Sequence, residues 1–108
     1  MNLTMPPALA AYFSADGSAD IDALEACFTR DATVQDEGET VRGLAAIRAW
    51  KLAAKAKYQY HVEPLSASRE GATETVLARV AGSFPGSPVK LTYRFDLVDG
   101  RIASLAIR

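Results

Sequence analysis

At 108 residues, 49% hydrophobic and 23% charged, with a formal net charge of −1, the chain has ordinary globular composition and the length of a single domain, 1–108, with one core. Lys and Arg are scattered among the acids with no basic run, which excludes a nucleic-acid footprint, and no apolar run approaches the ~20 residues of a membrane span. One cysteine, Cys27, allows no intrachain disulfide, and one histidine with no spaced ligand cluster leaves no metal site to expect.

The start of the chain, Met1 to Pro7, lacks the basic opening and apolar stretch of a signal peptide, so a cytoplasmic location is the expectation. Thr4 is placed to cap a first helix with Pro6 and Pro7 in its opening turn. Leu9, Tyr12 and Phe13 fall on one face of it, and Asp16-Gly17 is read as its end. Ser18 or Asp20 caps a second helix whose stripe is Ile21, Leu24 and Phe28, with Cys27 a buried structural thiol on the same pattern.

A short strand follows over 32–37, then a loop over 38–43. A third helix spans roughly 43–57, with Ile47, Trp50, Ala54 and Tyr58 as its apolar stripe and Arg48, Lys51 and Lys55 on the wet side. Beyond it the period changes to two, giving strands over about 58–67, 72–82, 89–98 and 101–108. A turn through Arg69-Glu70-Gly71, a loop through Phe84-Pro85-Gly86-Ser87-Pro88 and a hairpin at Asp99-Gly100 join them. On the 89–98 strand Val89, Leu91, Tyr93, Phe95 and Leu97 share one face. Lys90, Arg94 and Asp96, with Arg79 of the strand before, read as an outer face. Helices followed by long antiparallel strands make an α+β layout. A curved sheet around the helices permits a cavity.

The 32–37 strand carries the clearest sign of chemistry. Ala32, Val34 and Asp36 share one face, because side chains alternate along a strand. Asp36 therefore ends an apolar face, where a carboxylate is costly unless it is paired or its raised proton affinity is used. Glu37 is expected to point the other way. His61, the one group that titrates unperturbed near neutrality, alternates away from Tyr60 and Val62 and reads as a surface residue.

The run F-x-x-D-A-x-V-x-D from Phe28 to Asp36, followed by G-x-x-A-I-R-x-W from Gly43 to Trp50, resembles the nuclear transport factor 2-like superfamily on its SnoaL-like and ketosteroid isomerase side. The resemblance implies a cone-shaped α+β fold, with three N-terminal helices packed in a curved antiparallel sheet. It implies an apolar pocket at the open end, a small apolar, carbonyl-bearing ligand, no cofactor, and a homodimer through the outer sheet face. In ketosteroid isomerases an aspartate at the place of Asp36 is the general base. A tyrosine at the place of Tyr12 donates to the oxygen that becomes negative, and a protonated aspartic acid is the second donor. Tyr93 stands at that last place here. Trp50, Tyr58, Tyr60, Phe84 and Phe95 are the expected pocket walls. A non-catalytic ligand-binding or assembly module is the alternative on the same fold.

Overall fold

The computed structural model describes residues 4–108. Helix α1 (Pro7–Ser18) opens with Pro7 in its first turn, where the missing N–H has no helical partner to lose. Its cap is Pro6 rather than Thr4, and no side chain closes that end. The helix also runs past the expected stop at Asp16-Gly17. It ends at Ala19, which takes the left-handed conformation at φ 57°, while the Ala19 and Asp20 amides bond back to the Asp16 and Ala15 carbonyls. Asp20 caps α2 (Ile21–Glu25), its carboxylate accepting from the Ala23 amide at 3.1 Å.

Phe28, read as part of the second helix, instead starts a strand, β1 (Phe28–Asp36). The segment read as a loop holds a second strand, β2 (Glu39–Arg42). The two form a hairpin in which Asp36 pairs with Glu39. The two-residue turn, Glu37-Gly38, has both φ positive, at 53° and 77°, the geometry that matches strand twist. Helix α3 (Leu44–Tyr58) follows, then β3 (His61–Glu70), β4 (Thr73–Ala81), β5 (Val89–Val98) and β6 (Arg101–Ile107). The hairpin at Asp99-Gly100 forms as expected, with Val98 opposite Arg101.

These strands make one open, curved six-stranded sheet in the order β2-β1-β6-β5-β4-β3. The pairing is antiparallel except between β1 and β6, which run parallel and correct the all-antiparallel expectation. Irregular registers in β3 at Pro64–Ser66 and in β5 at Asp96–Leu97 interrupt the ladders, and such bulges bend a strand. The core, with Leu9, Leu24, Ile47, Val76, Phe95 and Leu105 fully buried, lies between the concave side of the sheet and the three helices. The Arg79, Lys90 and Arg94 side chains are exposed on the other face.

One close approach fixes the α3–β3 connection against the sheet. A Cβ on Gly82 would lie 2.6 Å from the Tyr58 carbonyl oxygen and 2.9 Å from Cα of Tyr60, and the next amide, Ser83, bonds to that carbonyl at 2.7 Å. Both obstacles are positioned by backbone, so neither can swing aside. Gly82→Ala is therefore expected to destabilise the fold by about 1–3 kcal/mol, read as a lower denaturant midpoint with an unchanged slope. An unchanged midpoint would show that this approach relaxes freely.

Candidate functional site

At one end of the molecule the sheet and α3 enclose a cavity of about 490 Å³, within the usual range for small-molecule sites. The end of β1 supplies Asp36 and its turn supplies Glu37. Helix α3 supplies Trp50, Ala54 and Tyr58, and Tyr60 follows from the connection after it. The far wall is apolar: Val80 of β4, Phe84 and Pro85 of the loop, and Val89 and Leu91 of β5. Tyr93 lies at the inner end of that strand's wall, and Ile107 and Arg108 close the rim.

Alternation along β1 holds as read: Ala32 and Val34 are buried, Gln35 is exposed, and Asp36 is half-buried on the Val34 side. The indole N–H of Trp50 donates to Asp36 Oδ2 at 3.1 Å. Burial pushes the Asp36 carboxyl up from its ordinary range, and the adjacent Glu37 carboxylate pushes the same way. The Trp50 hydrogen bond and the positive charge of Lys51 pull it partly back. Trp50→Phe keeps an aromatic wall but deletes the donor, so the Asp36 pKa is expected to rise, visible in a carboxyl-carbon NMR titration. A fall or no change would show that the indole does not stabilise the ionised form.

Glu37 corrects the sequence reading. As the first turn residue, in a left-handed conformation, it leaves the strand alternation and lines the same cavity as Asp36. Tyr58 donates to Glu37 Oε1 at 2.5 Å, while its ring meets Phe84 edge-on with centroids 5.8 Å apart. His61 is exposed at the start of β3 and does not line the cavity.

Tyr93 is 4% exposed, lines the cavity and has no hydrogen-bond partner for its hydroxyl among the described residues. Burial, then the negative charges of Asp16 and Asp36, raise its pKa, so it stays a protonated donor. Tyr12 is placed differently. It is 1% exposed on α1, behind the wall rather than on it, and its hydroxyl oxygen accepts from Lys51 Nζ at 3.2 Å. Phe95, expected as a wall, is a correction. It sits one step deeper on β5 than Tyr93, beneath α1, where Tyr12 and Phe13 pack edge-on at 5.5 and 5.8 Å and shield it from the cavity.

The largest departure from the sequence reading is Lys51. Far from solvated, it is 4% exposed. Its Nζ donates to Asp16 Oδ1 at 2.7 Å, Tyr60 Oη at 2.5 Å and Tyr12 Oη at 3.2 Å. Asp16, 2% exposed, also accepts from the Tyr60 hydroxyl at 3.1 Å and lies 3.4 Å from Lys55 Nζ, which itself donates to the Tyr60 carbonyl. Lys55, also read as wet, is thus half-buried. Only Arg48 keeps that description in part: it bridges Asp22 and Glu25 of α2 at the surface. The buried cluster and the cavity share Tyr60 as a common wall.

Among the described residues no three His, Cys, Asp or Glu side chains gather as metal ligands. Among the same residues no helix is long and apolar enough to cross a membrane. Cys27 is buried, and burial raises its thiol pKa, which makes it a poor nucleophile.

With this geometry in place, comparison with known proteins is specific. The SnoaL-like domain profile matches residues 9–105. No curated protein matches the chain. Among solved structures, a candidate polyketide cyclase from Sinorhizobium meliloti superposes with a TM-score of 0.95 at 47% identity, over 96% of this chain and 95% of that one. A hypothetical protein of ketosteroid isomerase-like fold from Catenulispora acidiphila, solved with trimethylamine, gives 0.84 at 26% identity over 97% and 86%. SalBIII, an epoxide hydrolase/cyclase-like enzyme in pyran ring formation of salinomycin, gives 0.80 at 23% identity over 93% and 85%, a likeness of fold alone. The chain belongs to the SnoaL-like domain family and has its nuclear transport factor 2-like α+β fold.

Proposed function

We propose that the protein binds a small, largely apolar carbonyl compound and moves a proton on it without a cofactor, as an isomerase or cyclase does. The observation that carries this reading is the meeting of two groups on one apolar cavity: a carboxylate of raised proton affinity, Asp36, and a hydroxyl open to the cavity whose proton no protein group takes, Tyr93. Asp36 takes a proton from the carbon next to the carbonyl. The C–H electron pair forms the new C=C bond, and the carbonyl π pair moves onto oxygen, giving an enolate. Tyr93 donates to that oxygen. Return of the proton to another carbon isomerises the ligand, and attack of the enolate carbon on a second carbonyl closes a ring. Trp50 fixes the base, and the wall from Val80 to Leu91 excludes water. The Sinorhizobium relative, described as a candidate cyclase, supports the same class of chemistry. Because Tyr12 lies behind the cavity wall with its hydroxyl on Lys51, the oxyanion role falls to Tyr93.

The test is hydrogen–deuterium exchange at the carbons flanking the carbonyl of a panel of cyclic ketones and diketones, followed by NMR in D₂O. Catalysed exchange is expected, and Tyr93→Phe is expected to slow it by roughly 10²–10³. Ketones that bind yet exchange no faster than in buffer sink the enzymatic reading.

A second reading, non-catalytic capture of a small amine, rests on two carboxylates lining one aromatic-walled cavity and on the trimethylamine held by the Catenulispora neighbour. Titration of trimethylammonium against the fluorescence of Trp50, the one tryptophan, separates it: saturable quenching favours it, and an unchanged signal at high concentration removes it.

A further inference from the structure

The buried cluster of Asp16, Lys51 and Lys55 has no part in the proton transfer above, yet it adjoins the cavity. A buried ion pair is weak evidence for stability, because well-packed apolar residues of similar volume often serve as well. Its position is more informative. Lys51 and Lys55 do not line the cavity. They lie on the other side of Tyr60, lining a small cleft between α1, α2 and α3.

Lys51 Nζ sits 4.5 Å from the Trp50 ring centroid and 5.2 Å from that of Tyr60, and Lys55 Nζ sits 4.0 Å from Tyr60. Two aromatics of the cavity wall, Trp50 and Tyr60, thus already carry cations. Three oxygens surround Lys51 Nζ, the full complement of an ammonium's donors. Taking the three groups as charged, one carboxylate faces two ammoniums, and the cluster is left with a surplus of one positive charge. A cation already held by an aromatic ring makes that ring a poorer host for a second one, so this backing works against a cationic ligand. It favours negative charge inside the cavity, where low dielectric preserves the interaction.

We propose that Lys51, supported by Lys55 and anchored by Asp16, is a positioning residue that biases the cavity toward ligands whose oxygen carries or develops negative charge. This rests on the carbonyl reading of the cavity and sharpens it to enolates and compounds that readily become enolates. Lys51 acts through Tyr60 and Trp50 and need not touch the ligand.

The experiment uses two ligands of one shape: 1,3-cyclohexanedione, an enolate near neutral pH, and neutral cyclohexanone. Affinities are measured by calorimetry in the Asp36→Asn background. There a neutral amide stands where the proton-loaded acid would be, and no carboxylate at that position repels the enolate. The ultraviolet band of the dione reports its ionisation when bound. Lys51→Gln is expected to weaken the enolate about tenfold and shift the bound dione toward its neutral enol, with cyclohexanone affinity unchanged. Lys55→Gln, whose side chain reaches solvent, is expected to act in the same direction more weakly. It keeps the test decisive if Lys51→Gln does not fold. Equal losses for both ligands, or an unshifted band, overturn the inference and leave a purely structural cluster. If neither ligand binds even with Lys51 present, the carbonyl reading itself fails.

Discussion

Asp36→Asn is expected to remove proton transfer on every ketone the cavity accepts, a loss of about 10²–10⁴ in turnover, with ketone affinity retained. The amide is isosteric, and its oxygen still accepts from the Trp50 indole, so the wall keeps its shape. What disappears is the carboxylate oxygen that would take the substrate's hydrogen. The pH dependence follows from the direction of the Asp36 shift. The base works when ionised, so activity rises with pH through a pKa held above the ordinary aspartate range by burial and by Glu37.

Stability moves the other way. A carboxyl whose folded pKa exceeds its unfolded value contributes stability below the unfolded pKa, and that contribution is lost as pH rises through the folded one. At neutral pH, Asp36→Asn is therefore expected to be at least as stable as the parent while inactive. Turnover that survives in the variant would show that Asp36 is not the base. A variant both inactive and unstable would mean that Asp36 serves the fold.

The legible part of the molecule is the part governed by period. Two-residue alternation put Val34 and Asp36 on one face of β1, and Tyr93 on the same face as Leu91 and Phe95 of β5, as the burial shows. The β1–β2 hairpin was less visible. Its turn, Glu37-Gly38, looks like the end of a strand because a glutamate there reads as an ordinary polar residue. Glycine next to it, followed by Thr40, Val41 and Arg42 at strand spacing, was the available signal. Missing the turn also misplaced Glu37, since alternation predicts a side chain only while the strand continues.

The buried charges leave a trace in the helical period. At 3.6 residues per turn, Lys51 stands about 40° from Ile47 around α3, nearer to it than Trp50 at about 60°. Asp16 likewise stands about 20° from Leu9 around α1. Each charge therefore lies on an apolar stripe, on two helices of opposite charge content at those positions. Composition argued against this, since Lys and Asp are rarely buried. Pairing is what permits it. Which wall the pair would back depends on how α1 and α3 pack against the sheet, which no local pattern encodes.

Asp16→Ala is expected to be the most destabilising single change at this end of the molecule, about 3–5 kcal/mol. It strands Lys51 in the interior without its counter-charge and deprives the Tyr60 hydroxyl of its acceptor. Asp16→Leu combined with Lys51→Met is expected to recover most of that loss, because the two charges leave together and the volume stays filled. The pH response supplies an independent check. Burial already lowers the Lys51 pKa, and Asp16 is the main influence holding it up. Without Asp16 the folded value falls further below the ordinary lysine value of about 10.4. Between those two values the unfolded chain binds more protons than the folded one, so stability increases with pH across that window. Chemical denaturation of Asp16→Ala at several pH values should therefore show the deficit shrinking as the solution becomes alkaline, a recovery the double variant lacks. A deficit independent of pH would show that the loss comes from packing around Asp16, with the Lys51 charge relieved by water or by Tyr12 and Tyr60 alone.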